Sequence, residues 1–169
     1  RYTTTATTNI KDTPIAADIV WPSSGSRVGH SKSDTDSKNA VTDLDRRLKK
    51  KQSDVVNRHI NKGNECVSNN KYEAAMQAYQ KALKVQMEAF GSRNPKIAII
   101  HSNIGLVLKE QGNYEEALAA YQETLTIRKK TLGERHEDIA STYFNMGGVL
   151  EAQGRLEEAY QMYTNALSI

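Results

Sequence analysis

The sequence predicts an all-α fold, a solenoid of helix-turn-helix repeats wound as a superhelix, with a disordered N-terminal tail. Three observations carry that reading. A spacing of 42 residues recurs from residue 55 onward, apolar residues fall at helical intervals within each copy, and the Ser/Thr-rich opening has no such period. Aligning 55–96, 97–138 and an incomplete 139–169 gives columns of three-way identity: Asn61/Asn103/Asn145, Gly63/Gly105/Gly147, Glu73/Glu115/Glu157, Ala75/Ala117/Ala159, Tyr79/Tyr121/Tyr163 and Leu83/Leu125/Leu167. With average residue usage such a match arises in roughly one column in two hundred, so composition does not produce them.

Residues 1–39 carry Thr3 to Thr5, Ser23, Ser24 and Ser26 with no sustained apolar period. Such a stretch cannot offset its ordering entropy and is expected to be disordered. Its one apolar island, Ile15-Ala16-Ala17-Asp18-Ile19-Val20-Trp21-Pro22, has the form of a short docking motif able to fold back into the chain's own groove. From about residue 40, Val41, Leu44, Leu48, Val55 and Ile60 fall mostly three, four or seven apart among Lys, Arg and Gln, so 40–54 is expected as a basic helical lead-in. Arg46-Arg47-Leu48-Lys49-Lys50-Lys51, bracketed by Asp43, Asp45 and Asp54, reads as a solvated helix face rather than a nuclear address, nucleic-acid contact or membrane patch.

Charge and cysteine content narrow the function classes. Of 169 residues, 23 are Lys or Arg and 20 Asp or Glu. Residues 55–169 hold equal numbers of each, so the repeat region is electroneutral and no nucleic-acid partner is expected. No apolar run approaches the roughly 20 residues that span a bilayer, so no membrane partner is expected either. A single cysteine, Cys66, excludes an intrachain disulfide framework and a cysteine-based zinc site, and a reducing, cytoplasmic setting is the simplest. The chain opens at Arg1 and stops at Ile169 in what reads as mid-helix, so a fragment is expected, with a third pair prone to self-association.

Each unit splits into two helical stretches, from about Ile97 to Glu110 and from Tyr114 to about Leu132 in the second copy. Gln111-Gly112-Asn113 separates them, with Asn69-Asn70-Lys71 and Gln153-Gly154-Arg155 in the equivalent places, as a left-handed C-cap requires. The alanine column is small where paired helices approach, and the tyrosines one turn later fill the wider gap and stack along the array. Gly63, Gly105 and Gly147 each cost ~1 kcal/mol against alanine inside a helix, so close backbone approach is expected to repay them.

These columns resemble the tetratricopeptide repeat (TPR). Its signature reads here as His101-x2-Ile104-Gly105-x2-Leu108 then Ala117-x3-Tyr121, and as Tyr143-x2-Met146-Gly147-x2-Leu150 then Ala159-x3-Tyr163. The first copy departs at His59, Lys62 and Cys66. The usual period is roughly 34 residues; the longer one implies longer second helices, since the excess falls after the tyrosine and before Pro95. This form resembles kinesin light chain repeats, above all from Ile127 to Ala140, although Glu137 stands where theirs carry proline and only one asparagine per copy remains of their usual pair.

No nucleophile–base–orienter set, phosphate loop or metal-ligand spacing is present, so no catalytic, cofactor or metal site is expected. His59 and His101 are equivalent but lack a third ligand; His136 reads as a solvated loop residue and Cys66 as packing. If first helices line the concave face, as the resemblance implies, the groove side of the first copy is Asn57, Ile60, Asn64 and Val67. In the second it is Ile99, Ser102, Leu106 and Lys109, and in the third Ser141, Phe144, Gly148 and Glu151. Asn103 and Asn145, from the repeated asparagine column, either bond the backbone of a bound peptide or tie the helices together. The expected function is a non-catalytic protein-interaction scaffold that binds a partner's peptide or helix, in its finer form a kinesin-light-chain-like cargo adaptor. The alternative is an interaction or regulatory domain of a larger signalling or enzymatic polypeptide.

Overall fold

The structure, a computed structural model, describes residues 32–92 and 94–169, with side chains from Lys38 onward. The tail expected to be disordered lies outside the described residues over 1–31, as does the Trp21 island. Helices α1 (Lys32–Ser68), α2 (Tyr72–Phe90), α3 (Pro95–Glu110), α4 (Tyr114–Leu132), α5 (Glu137–Ala152) and α6 (Leu156–Leu167) follow in order, with no strand among the described residues. The second helices α2 and α4 are the longer ones, 19 residues against 16 in α3 and α5.

The same local chemistry makes each turn. Asn70, Gly112 and Gly154 adopt φ of 56°, 79° and 76°, and each is followed by the long bond of a Schellman cap: Lys71 N to Cys66 O at 2.8 Å, Asn113 N to Leu108 O at 2.8 Å, Arg155 N to Leu150 O at 2.9 Å. Between units, Asn94 Oδ1 accepts from Lys96 N at 3.0 Å with Pro95 at the first helical position. His136 does the same for α5, its Nδ1 accepting from Asp138 N at 3.1 Å. It is therefore a helix cap, half-buried, rather than the solvated loop residue expected.

One element differs in extent from its expectation. The lead-in and the first helix of the first copy are one uninterrupted helix of 37 residues that begins before residue 40. The reason is local: between Lys32 and Gly63 there is neither proline nor glycine, and Lys, Arg and Gln sustain the helix.

Neighbours pair as α1/α2, α3/α4 and α5/α6, and successive pairs join through α2/α3 and α4/α5. Ala75 and Ala117 are fully buried, Ala159 nearly so, and Tyr79 and Tyr121 lie beneath the surface beside them. The glycines answer to the tyrosine ring rather than to an approaching backbone. A Cβ on Gly105 would sit 3.0 Å from Tyr121 Cζ, one on Gly147 2.5 Å from Tyr163 Cε1, and one on Gly63 would overlap the edge of the Tyr79 ring. Each ring fills the gap within its own pair, and among the described residues the tyrosine-column rings do not stack on one another. The glutamate column links units: Gln111 Nε2 donates to Glu73 Oε1 at 3.4 Å, and Gln153 Nε2 to Glu115 Oε1 at 2.8 Å.

Candidate functional site

The inner face of the array follows from which helices touch. First helices approach one another closely, α1 with α3 and α3 with α5, whereas the backbones of α2, α4 and α6 stay farther apart among the described residues. A stack whose first helices sit closer together than its second helices curves toward the first helices. Those helices therefore line the concave side.

The residues expected on that side divide into three groups. Ile99, Leu106 and Phe144 are exposed at 45%, 40% and 62%, unusual for large apolar side chains on a helix whose other faces are packed. Asn57, Asn64, Ser141 and Glu151 are exposed, while Ser102, Asn103, Lys109, Asn145 and Gly148 are half-buried. Ile60 and Val67 turn partly inward and pack on the core cluster around Val56, Ala75 and Tyr79.

Hydrogen bonds fix several of them. Asn64 Oδ1 accepts from Tyr79 Oη at 2.7 Å and from Asn103 Nδ2 at 3.3 Å, so Asn103 ties α3 to α1. Asn61 makes no side-chain hydrogen bond among the described residues, and Asn145 lines a cleft instead. Asn57 Oδ1 accepts from Lys96 Nζ at 3.0 Å. Glu151 Oε2 accepts from Tyr163 Oη at 2.7 Å; this bond, with burial, raises the Tyr163 pKa. Lys109 reaches across to α5, its Nζ 3.9 Å from where a Gly148 Cβ would lie.

At the α5–α6 end, Ser141, Phe144, Asn145 and Tyr163 share a cleft of about 530 Å³ with Ala166 and Leu167. The Phe144 and Tyr163 rings are 5.3 Å apart and tilted by 48°. Sequence reasoning placed Tyr163 only in the core. Tyr163 is half-buried where Tyr121 is buried, so the equivalence of the two ends there. A separate cleft of about 450 Å³, between the C-terminal end of α2, the start of α3 and the later part of α4, is lined by Met87, Ile97, His101, Glu123 and Ile127. Burial lowers the His101 pKa, and Glu123 partly offsets it. No metal-like cluster of His, Cys, Asp or Glu occurs among the described residues. Nor is any described helix long and apolar enough to cross a membrane.

A family model for the tetratricopeptide repeat matches residues 59–130 and 96–169, most of the chain. The chain belongs to the tetratricopeptide repeat family. No curated protein matches it. Solved structures do. BtubC (BKLC) from P. vanneervenii aligns with a TM-score of 0.62 at 22% identity, over 68% of this chain and 46% of that one. The TPR domain of Arabidopsis FLU gives 0.61 at 20% identity, covering 69% and 95%. The second TPR of Spaghetti (RPAP3), solved with the HSP90 peptide SRMEEVD, gives 0.53 at 19% identity, covering 72% and 96%. At these identities the likeness is one of fold. This chain spans less than half of the BtubC chain.

Proposed function

We propose that this TPR array is a non-catalytic scaffold that holds a short peptide or helix of a partner protein against α1, α3 and α5. The observation that carries it is the line of exposed Ile99, Leu106 and Phe144 on the inner face, beside Lys109 and the hydrogen-bonded polar groups of Asn64 and Glu151. Apolar anchors supply affinity there and the polar groups supply register. That RPAP3 is described with a bound peptide supports the reading by fold alone. A cargo-adaptor role of the kinesin-light-chain kind, in the cytoplasm, is its finer form and rests on the Ile127 to Ala140 junction.

Selection of peptides from a displayed random library, followed by affinity measurement, tests it. The Leu106→Ala, Phe144→Ala double variant is expected to weaken selected peptides by at least about tenfold, in line with loss of interface anchors. Undiminished binding by that variant contradicts it.

A second reading rests on a different observation. Leu167 is 88% exposed, whereas its counterpart Leu125 is 5% exposed beneath the next unit. The α5–α6 end thus presents the kind of apolar face that α2 and α4 bury against α3 and α5. An interaction or regulatory domain of a larger signalling or enzymatic polypeptide would use that face for another element, and association of copies would use it for a second chain. Sedimentation of the chain with and without Leu167→Glu separates the two: a concentration-dependent dimer lost in the variant indicates self-association.

A further inference from the structure

The cleft of about 450 Å³ beside α4 lies apart from the concave groove. On α3 it is lined by Ile97 and His101, each two residues from Ile99 and so about 200° around the helix from the groove stripe. It therefore opens on the opposite side of α3. Ile97 is buried and Ile127 half-buried, which makes the floor apolar, and Met87 of α2, 48% exposed, forms a wall. In the next unit the equivalents of His101 and Met87 are Tyr143 and Lys129, which close on each other with Nζ 5.6 Å from the ring centre. An imidazole and a thioether cannot make that contact.

Polar groups converge on this floor from one stripe of α4. Glu123 and Lys130 stand seven residues apart on the rim, both exposed and neither in an ion pair among the described residues. From Glu123 to Thr131 the stripe runs about 12 Å. Thr126 Oγ1 donates to Gln122 O at 2.9 Å and Thr131 Oγ1 to Ile127 O at 2.8 Å. With those protons committed to their own helix, both hydroxyls act toward a ligand as acceptors. His101, kept neutral at pH 7 by burial, offers one donor and one acceptor and makes no hydrogen bond among the described residues. An apolar floor under a few convergent polar groups is the make-up of a binding cleft.

We propose that this outer cleft binds a short extended peptide of a partner protein, one with a basic, an apolar and an acidic side chain at alternate positions. An extended chain turns alternate side chains to one face, and two such steps span about 13 Å, close to the length of the α4 stripe. The basic group meets Glu123, the acidic group meets Lys130, and the apolar side chain enters between Met87 and Ile127. Main-chain N–H groups find Thr126 and Thr131. A second copy of the same face fits poorly, because the apolar residues lie below the charged rim and two such hollows do not fill each other. A polyanion or an anionic membrane fits poorly too, since the lining carries one acidic and one basic side chain.

The test titrates the full chain with the end-blocked peptide Gly-Lys-Thr-Leu-Thr-Glu-Gly and with its reverse, following the His101 imidazole by NMR. The tighter of the two orders is expected to shift His101 and to bind about three- to fivefold more tightly than its all-Lys or all-Glu counterpart, as exposed ion pairs allow. Ser in place of the peptide's Leu is expected to weaken it by about tenfold. Lys130→Glu makes the all-Lys peptide the tightest, Glu123→Lys makes the all-Glu peptide the tightest, and the groove double variant Leu106→Ala, Phe144→Ala changes nothing. Both charge reversals lie on exposed positions, and an unaltered melting temperature verifies that the core is intact. The proposal is overturned by an unmoved His101 at millimolar peptide, by equal affinity for all the peptides, or by preferences that ignore the two reversals. Loss of binding in the groove variant overturns it as well, as does tighter binding of 7-aminoheptanoic acid, a small molecule with the same two charges, or a dimer that depends on Glu123 and Lys130.

Discussion

Gln86 holds in α2 the place that Arg128 holds in α4, and the two meet opposite surroundings. Arg128 Nη1 donates to Asp138 O at 2.7 Å and to Thr142 Oγ1 at 2.8 Å, fastening α4 to α5. Gln86 is fully buried, and neither its Nε2 nor its Oε1 finds a partner among the described residues. The counterparts of Asp138 and Thr142 are Lys96 and Ile100; Ile100 offers no side-chain acceptor, and the shorter Gln86 amide makes no bond to the Lys96 carbonyl.

An unpaired buried amide costs roughly 1–3 kcal/mol, so Gln86→Leu is expected to stabilise the chain by about 1 kcal/mol in urea titration. Gln86→Arg alone is expected to destabilise, and Gln86→Arg with Ile100→Thr to recover part of the loss, since the pair rebuilds the α4–α5 fastening. A double-mutant cycle reads that coupling.

Adjacent glycines in α5 provide an internal control for the tyrosine seat. A Cβ on Gly147 would meet the Tyr163 ring at 2.5 Å, while on Gly148 the nearest atoms are 3.9 Å away. Gly148→Ala is expected to gain up to about 1 kcal/mol from helix propensity, and Gly147→Ala to lose about 1–3 kcal/mol through forced displacement of the ring. Thermal melts of the two variants decide it, and equal shifts would contradict the seat.

Alkaline pH loosens the array through the same column. Burial pushes the Tyr79 phenol up to about 12, with Cys66 adding, and Tyr121 up to about 12, with Glu110 adding. In the unfolded chain these phenols ionise near 10. Between about pH 10 and 12 the unfolded state has therefore released protons the folded state still holds, and stability falls as pH rises through that window. Below about 10 both states are protonated and the dependence vanishes. Urea midpoints across this range are expected to decline, and Tyr79→Phe to flatten the decline although it weakens the fold at neutral pH by removing the bond to Asn64.

Much of the fold was legible because its punctuation is local. The second copy's helices, expected from about Ile97 to Glu110 and from Tyr114 to about Leu132, are α3 (Pro95–Glu110) and α4 (Tyr114–Leu132). Gly112 ends the first and Asn94-Pro95 opens it, each by its own backbone preference. The start of α1 was not legible, because nothing between Lys32 and residue 40 marks a boundary. The tie from Asn103 to Asn64 was left open between two readings, since it depends on how closely α1 and α3 approach. Ile60 and Val67 share groove columns with Phe144 and Glu151, yet they lean onto the core because α1 packs against α2 at its own C-terminal half. Periodicity assigns a face to a residue; it does not say how far a neighbouring helix covers that face.

Amide hydrogen exchange of the full chain with a selected peptide bound tests the concave groove most directly. The account predicts added protection along α3 and α5, around Leu106 and Phe144, with α2 and α4 unchanged. Protection that appears on α2 and α4 while α3 and α5 exchange as before would contradict it.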